Sequence, residues 1–221
     1  SGWNLPMVDL ISLHRKRRVD YPGPVMSEVQ STFRLKPGDA PPAFELPEPS
    51  GQLHSFANLR GEKGILVFFA CNHCPYVIHL APAVGRLAEE LAGAGISTVA
   101  IMSNDVEGYP DDHPDRMGAF AAESGWAFPY LYDESQEVAK GWSAACTPDF
   151  FLVDGEGRLF YTGQFDASRP RNDSEVTGAD LRAAVGEMLA GGEPPREPYP
   201  SSGCNIKWKA GNEPPYFGSI G

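Results

Sequence analysis

Cysteine is scarce in this chain, with four in 221 residues. That is too few for the disulfide framework of a small secreted domain. Positive charge is short as well: 18 Lys and Arg stand against 29 Asp and Glu, a net charge of −11. A surface of that sign repels phosphate backbones, which argues against a nucleic-acid partner. The excess reads as a solubility charge. No apolar run approaches the ~18 residues of a membrane helix. The longest, Ile65 to Cys71, has the length of a core strand, so no membrane partner is expected. Internal repeats and low-complexity blocks are absent too.

What is present suits one full-sized domain with appended arms. The expected division is an N-terminal arm over 1–33, a domain over 34–190 and a C-terminal tail over 191–221 that packs on the domain. The chain opens Ser-Gly, which points to processed or appended residues within 1–25, and Met7 and Met26 are both plausible native starts. A basic cluster, His14 to Arg18, follows the weakly apolar stretch Met7–Leu13. A secretory signal has the opposite order. The expected compartment is therefore the cytoplasm, where thiols are kept reduced, and the cluster reads as a solvated arm.

Periodicity supplies the elements. Gln52–Phe56 reads as a short strand, and Gly61 to Gly64 as a turn. Ile65 to Ala70 is a continuous apolar, β-branched and aromatic run, which fits a strand buried on both faces. After Cys74 the period changes: Val77, Leu80, Ala81, Val84, Leu87, Ala88 and Leu91 recur at helical spacing. Pro75 suits a first-turn position, Pro82 should kink the helix, and Gly93 and Gly95 end it. Ile96–Met102 reads as a second buried strand, completing a βαβ unit with parallel pairing. Residues 105–114 form a loop, Pro114–Ser124 a helix, Phe128–Tyr132 a short strand and Ser135–Trp142 a short helix. Phe150–Val153 and Leu159–Thr162 flank Asp154-Gly155-Glu156-Gly157, a hairpin signal. Thr177 with Asp180 resembles a capping box ahead of a helix through Leu189. The Pro- and Gly-rich last 30 residues read as an extended tail over the surface.

The chemistry centres on Cys71-Asn72-His73-Cys74, at the junction of the buried strand and the amphipathic helix. The thiolate is the reactive form of cysteine. A helix N-terminus, with unpaired N–H groups and partial positive charge, favours it. Positions i and i+3 share one face of the first turn and can close a disulfide. His73, between them, would stabilise a neighbouring thiolate and make the disulfide more oxidising. The expected division of labour has Cys71, nearer solvent, attacking an incoming disulfide and the deeper Cys74 resolving the mixed disulfide. The competing reading is half of a zinc site. Zinc wants four ligands, usually a second C-x-x-C or a His pair, and Cys146, Cys204 and His79 are separate in sequence, so no metal is expected. Thr147-Pro148 opens the strand before the hairpin, and spacing alone makes Pro148 a turn proline.

The order βαβ then ββα, with C-x-x-C at the first helix and Thr-Pro before the hairpin, resembles the thioredoxin superfamily. The resemblance implies a three-layer α/β/α sandwich with a mixed central sheet. It also implies that Pro148 is a cis-proline set against the C-x-x-C, where it helps bind substrate backbone. Cys-Asn-His-Cys-Pro-Tyr-Val (71–77), Thr-Pro-Asp-Phe-Phe (147–151), Gly-Gln-Phe-Asp with Ser-Arg-Pro (163–170) and Gly-Cys-Asn-Ile-Lys-Trp-Lys (203–209) narrow it. They resemble the peroxiredoxin-like subgroup of the AhpC/TSA–redoxin family, which carries a thioredoxin-style C-x-x-C. Two departures matter. Cys74 holds the place of a peroxidatic cysteine in P-x-x-x-[TS]-x-x-C, but Cys71 replaces the Thr or Ser and Val67 the Pro. Ile65 stands where thioredoxins carry a buried acid, and no Trp precedes Cys71.

Cys146, beside Thr147-Pro148, is a candidate third redox thiol or a small buried hydrophobe. Cys204 could resolve an oxidised Cys74 or Cys71 if the tail folds over the site; otherwise it packs beside Trp208. Arg169 is a candidate thiolate stabiliser, against an ion pair with Asp166 or Asp173. His79 and His113 read as ordinary residues, and Tyr76 as part of the site rim. The leading function is thiol–disulfide exchange through Cys71 and Cys74, with Asn72, His73, Thr147 and Pro148 in support. A thiol-dependent peroxidase and a non-enzymatic zinc- or partner-binding module are the alternatives. No cofactor is expected beyond the redox-active disulfide. The partners would be a protein or small-molecule disulfide and a thioredoxin- or glutathione-type reductant, with a homodimer left open.

Overall fold

The apolar run at 64–69 lies at the centre of the molecule because both its faces need covering. A computed structural model describes residues 28–219. The basic cluster at 14–18 and both candidate start methionines lie outside the described residues. In chain order the elements are β1 (Glu28–Gln30), β2 (Glu45–Pro47), β3 (Leu53–Ser55), α1 (Phe56–Leu59), β4 (Gly64–Phe69), α2 (Pro75–Gly93), β5 (Ile96–Met102), a 3-10 turn (Pro110–Asp112) and α3 (Pro114–Glu123). Then follow β6 (Tyr130–Tyr132), α4 (Glu137–Gly141), β7 (Cys146–Thr147), β8 (Asp149–Asp154), β9 (Leu159–Gly163), α5 (Ala179–Leu189) and β10 (Ser202–Asn205).

The main sheet has the order β6-β5-β4-β8-β9. Strand β4 pairs in parallel with β5, from Gly64↔Ile96 to Phe69↔Ile101. On its other edge it pairs antiparallel with β8, from Gly64↔Asp154 to Phe69↔Asp149. Strand alternation sends Ile65, Val67 and Phe69 to one face, where Phe44, Phe56 of α1, Ala139 of α4 and Trp142 cover them. Leu66, Phe68 and Ala70 face the opposite core of Val77 to Leu91 of α2, Met117 of α3, and Leu181 to Val185 of α5. The result is the expected three-layer α/β/α sandwich around a mixed sheet. Burying each such Leu, Ile or Phe contributes roughly 1.5–3 kcal/mol. The Trp142 indole, fully buried against Phe44, Phe56 and Phe151, keeps its N–H satisfied on the Pro42 carbonyl at 3.0 Å. Among the described residues no helix is long and apolar enough to cross a membrane.

The helix runs through Pro82 as one element, with that ring on its exposed side. Two local expectations change. Helix α5 is capped not by a Thr177–Asp180 box but by Gly178, at φ 70°. The Thr177 and Gly178 N–H groups instead donate to the Asp166 carboxylate, both at 2.7 Å. The tail is not merely an extended surface segment. Strand β10 inserts between β1 and β7 in a second, antiparallel sheet, with Cys204 opposite both Glu28 and Thr147. Glu28 accepts hydrogen bonds from the Ser202 hydroxyl and, at 3.0 Å, from Tyr76 of α2, so arm, tail and first helix are tied at one point.

That insertion requires glycine at one position. A Cβ on Gly203 would lie 2.1 Å from the Thr147 carbonyl oxygen and 2.8 Å from its carbon, both backbone atoms that cannot swing aside. Gly203→Ala should therefore destabilise the protein by about 1–3 kcal/mol, read as a lower denaturant midpoint. Gly186→Ala, in α5 with nothing near the added methyl, should raise the midpoint by roughly 0.5–1 kcal/mol of stability. A Gly203→Ala midpoint equal to wild type would show that β10 does not need this approach.

Candidate active site

Strand β4 ends at Phe69, the Ala70 N–H donates to the Ile101 carbonyl at 2.9 Å, and the chain turns into α2 through Cys71-Asn72-His73-Cys74. Cys74 is the N-cap residue of α2 and Pro75 occupies the first turn, where its missing N–H costs nothing. The first unpaired N–H groups and the positive end of a 19-residue helix thus meet at the second cysteine.

Four of the sequence-predicted residues converge here. The Cys71 Sγ lies 3.6 Å from the Thr147 hydroxyl, and the Cys74 Sγ lies 3.2 Å from the Thr147 carbonyl. The Thr147–Pro148 peptide bond is cis, as the family resemblance implies and spacing alone does not. Depth does not separate the two cysteines: Cys71 is 1% exposed and Cys74 0%. Electrostatics does. Burial opposes charge on Cys74, but hydrogen bonds from Cys204, Cys71 and Thr147, with the Val77 N–H, outweigh it and hold this thiol well below the usual range. Burial pushes the Cys71 thiol well above that range, and its contact with Cys74 adds to the effect. These contacts favour the charged form of Cys74 over that of Cys71.

Asn72 and His73 are held by a residue that sequence reasoning passed over. Asp112, fully buried in the 3-10 turn, accepts from the Asn72 N–H at 2.8 Å and the His73 N–H at 3.3 Å through one oxygen. Its other oxygen takes the Asn104 amide at 2.9 Å and lies 2.6 Å from His73 Nδ1. Burial alone would lower the His73 pKa, but the Asp112 carboxylate outweighs it and raises the value above 6.5. The ring stacks on Tyr109 at 5.7 Å. The Asn72 side chain donates to the Asp111 carbonyl and accepts from the Tyr130 hydroxyl.

Cys204 also reaches the site. Its Sγ lies 2.9 Å from that of Cys74. It does not pack beside Trp208, which lies on the opposite core against Tyr216. Cys146 is buried on β7 with its Sγ 3.6 Å from the Pro148 carbonyl, and burial pushes its thiol well up. The Arg169 charge reaches the Cys146 thiol, whose charged form it favours against burial. The guanidinium donates to the carbonyls of Asp166 and Ser168 and to the Gln164 side chain, organising its own loop, and it pairs with neither Asp166 nor Asp173 through a carboxylate. His79 meets Ser168 at 2.6 Å, and His113 caps α3 by accepting from the Asp115 N–H. Asp149, after the cis-proline, is buried and pushed up to about 6.

Among the described residues, Cys71, His73 and Asp112 place one donor atom each within 4.8 Å of one another, the geometry from which a metal could be held. Both Asp112 oxygens are already engaged by backbone, amide and imidazole. A metal would have to displace those contacts.

The sequence profile of the redoxin family matches residues 36–180. A solved structure of a hypothetical protein from Sinorhizobium meliloti is 46% identical, with a TM-score of 0.80, and the match covers 83% of this chain and all of that one. Peroxiredoxin Bcp of Escherichia coli is 25% identical over 154 residues, 64% of this chain and 92% of its own length. The thioredoxin domain of a thiol-disulfide oxidoreductase from Bacteroides vulgatus shares the fold at a TM-score of 0.54 and 18% identity, over 70% of this chain and 99% of that one.

The Asp112–His73 pair has a definite pH signature. Because the folded His73 pKa is raised, its contribution to stability is fully present below about 6.5 and is lost as pH rises through the folded value. Asp112→Asn removes the opposing charge and leaves the burial, so the His73 titration, followed by NMR, should move from above 6.5 to below it. Stability near neutral pH should fall by about 1–3 kcal/mol. An unmoved titration would show that Asp112 does not set the charge of this ring.

Proposed function

Given that the chain belongs to the redoxin family and is an oxidoreductase, we propose that it exchanges thiols and disulfides through Cys71 and Cys74. The observation that carries this reading is the asymmetry of the pair. The two cysteines share the loop that leads into α2, yet their surroundings favour the charged form of Cys74 and oppose that of Cys71. The Cys74 thiolate attacks one sulfur of a substrate disulfide, and the other sulfur leaves as a thiolate that takes up a proton. Cys71, deprotonated in turn, attacks Cys74 Sγ of the mixed disulfide. A Cys71–Cys74 bond forms and the second substrate thiol departs. An external thiol reductant reverses the oxidation of the pair. The imidazolium of His73, held by Asp112, supplies a positive charge beside this transfer. Thr147 and the cis-proline form the wall on which a substrate backbone would rest.

One observation favours thiol-dependent peroxide reduction instead. The acidic sulfur is Cys74, which stands at the peroxidatic position, and both sulfurs are nearly inaccessible, a setting a small oxidant reaches more easily than a folded protein does. Against it, Val67 lies fully buried in mid-strand opposite Phe151, where the peroxidase pattern has a proline. The Thr or Ser of that pattern is Cys71 here, and the Thr147 hydroxyl comes from β7 instead.

Second-order rates of the reduced protein with hydrogen peroxide and with a model protein disulfide separate the two. Exchange should be rapid, fall by at least about 10³-fold in Cys74→Ser, and lose multiple turnover in Cys71→Ser. The peroxide rate should be no better than that of a free thiolate. Fast peroxide consumption lost in Cys74→Ser, with slow disulfide exchange, would replace exchange by peroxidase activity.

A further inference from the structure

Cys74 has two sulfur neighbours, and the proposed function uses only one of them. We infer that Cys204 is a third redox-active thiol: oxidised protein interconverts between a Cys71–Cys74 and a Cys74–Cys204 disulfide. This rests on the reading that Cys74 is the reactive sulfur. The Cys74 and Cys204 Sγ atoms stand 2.9 Å apart in the reduced protein, and closing a disulfide of about 2.05 Å requires an approach of only about 0.9 Å. Neither side is loosely held. Cys74 caps a long helix, and Cys204 is locked between β1 and β7 in register with Glu28 and Thr147. Gly203 lets β10 sit directly on the Thr147 carbonyl. Both sulfurs are buried, so their contact is not left to chance encounters with solvent.

The step is an intramolecular exchange and needs no added oxidant. The Cys204 thiolate attacks Cys74 Sγ of the Cys71–Cys74 disulfide. The Cys74–Cys204 bond forms, the Cys71–Cys74 bond breaks, and Cys71 leaves with the electron pair and takes up the proton that Cys204 gave up. Electron count is unchanged. In the reduced protein the charge on Cys74 keeps the Cys204 thiol protonated, chiefly through the hydrogen bond between them. Once Cys74 is in a disulfide that charge is gone. The buried Lys207 ammonium, held by the Asn205 carbonyl and side chain at 3.0 and 2.7 Å, then remains as the nearby group that favours the Cys204 thiolate. Cys146 takes no part: its sulfur is turned to the Pro148 carbonyl. The relay frees Cys71 while the two oxidising equivalents stay stored between the start of α2 and the tail strand β10.

The test uses the Cys71→Ser protein, which retains three of the four cysteines. It is reduced, treated with diamide, blocked with a thiol reagent in denaturant, and mapped by non-reducing peptide mass spectrometry. The expected result is loss of two of the three labelable thiols and a linked peptide joining Cys74 to Cys204, absent from Cys71→Ser/Cys204→Ser. Three free thiols after diamide, a bond from Cys74 to Cys146, or a dimer joined through Cys74 would overturn the inference. The wild-type protein, assayed alongside, keeps the two questions apart. If it still forms the Cys71–Cys74 bond and exchanges disulfides, failure of the first test leaves the proposed function standing. Loss of all exchange in wild type would instead strike that reading.

Discussion

Everything at this site hangs on a strand that is hydrogen-bonded on both edges and covered on both faces. Strand β4 pairs with β5 on one side and β8 on the other over its full length, and none of its side chains reaches water. Such a strand cannot shift register without exposing one apolar set and burying gaps in the other. The residue at which it stops is therefore fixed, and with it the origin of α2. Two things follow at the same place. The positive end of the helix is delivered to Cys74, and β8, in antiparallel register with β4, brings the Thr147–Pro148 segment that precedes it back beside the cysteines.

Asp112 shows how the second half of that arrangement is stabilised. A five-residue connection between a strand and a helix carries backbone N–H groups that neither element satisfies. Here a single buried carboxylate takes those of Asn72 and His73. The same carboxylate would be costly to bury unpaired, and the His73 ring and Asn104 amide offset that cost. Backbone order and the charge of His73 are thus one problem with one solution. The Lys207 N–H, donating to the Asn104 side-chain oxygen Oδ1 at 2.9 Å, extends the network to the segment that follows Cys204.

The sequence made β4, α2, β5 and the β8–β9 hairpin legible because each has a period or turn signal that survives without its neighbours. The C-x-x-C was legible for the same reason: it sits where one period gives way to another. Asp112 was not. Residues 105–114 hold several acids, and only the fold decides that this one turns inward. Strand β10 was hidden as well, since Ser202-Gly203-Cys204-Asn205 has neither alternation nor β-branched residues. Its pairing comes from backbone contact across a long sequence separation, which a local pattern cannot carry. The hydrogen bonds that fix the Arg169 guanidinium to its own loop, while its charge acts on Cys146, were not legible either.

Three buried sulfurs meet at the centre, and their contacts favour a negative charge on Cys74 over either neighbour. A thiolate in a buried place is expensive, and the helix terminus alone does not overcome burial. The thiols of Cys71 and Cys204 do so by hydrogen bonding to Cys74 from either side, and each is made less acidic in the process. Stabilising the charge and restraining the competing nucleophiles are therefore the same interaction seen from its two ends. Oxidation of Cys74 removes the charge and releases that restraint, so the sulfur left outside the first disulfide gains nucleophilicity only after the first bond has formed. A thiol reductant that returns Cys74 to its free form restores the same contacts to all three sulfurs.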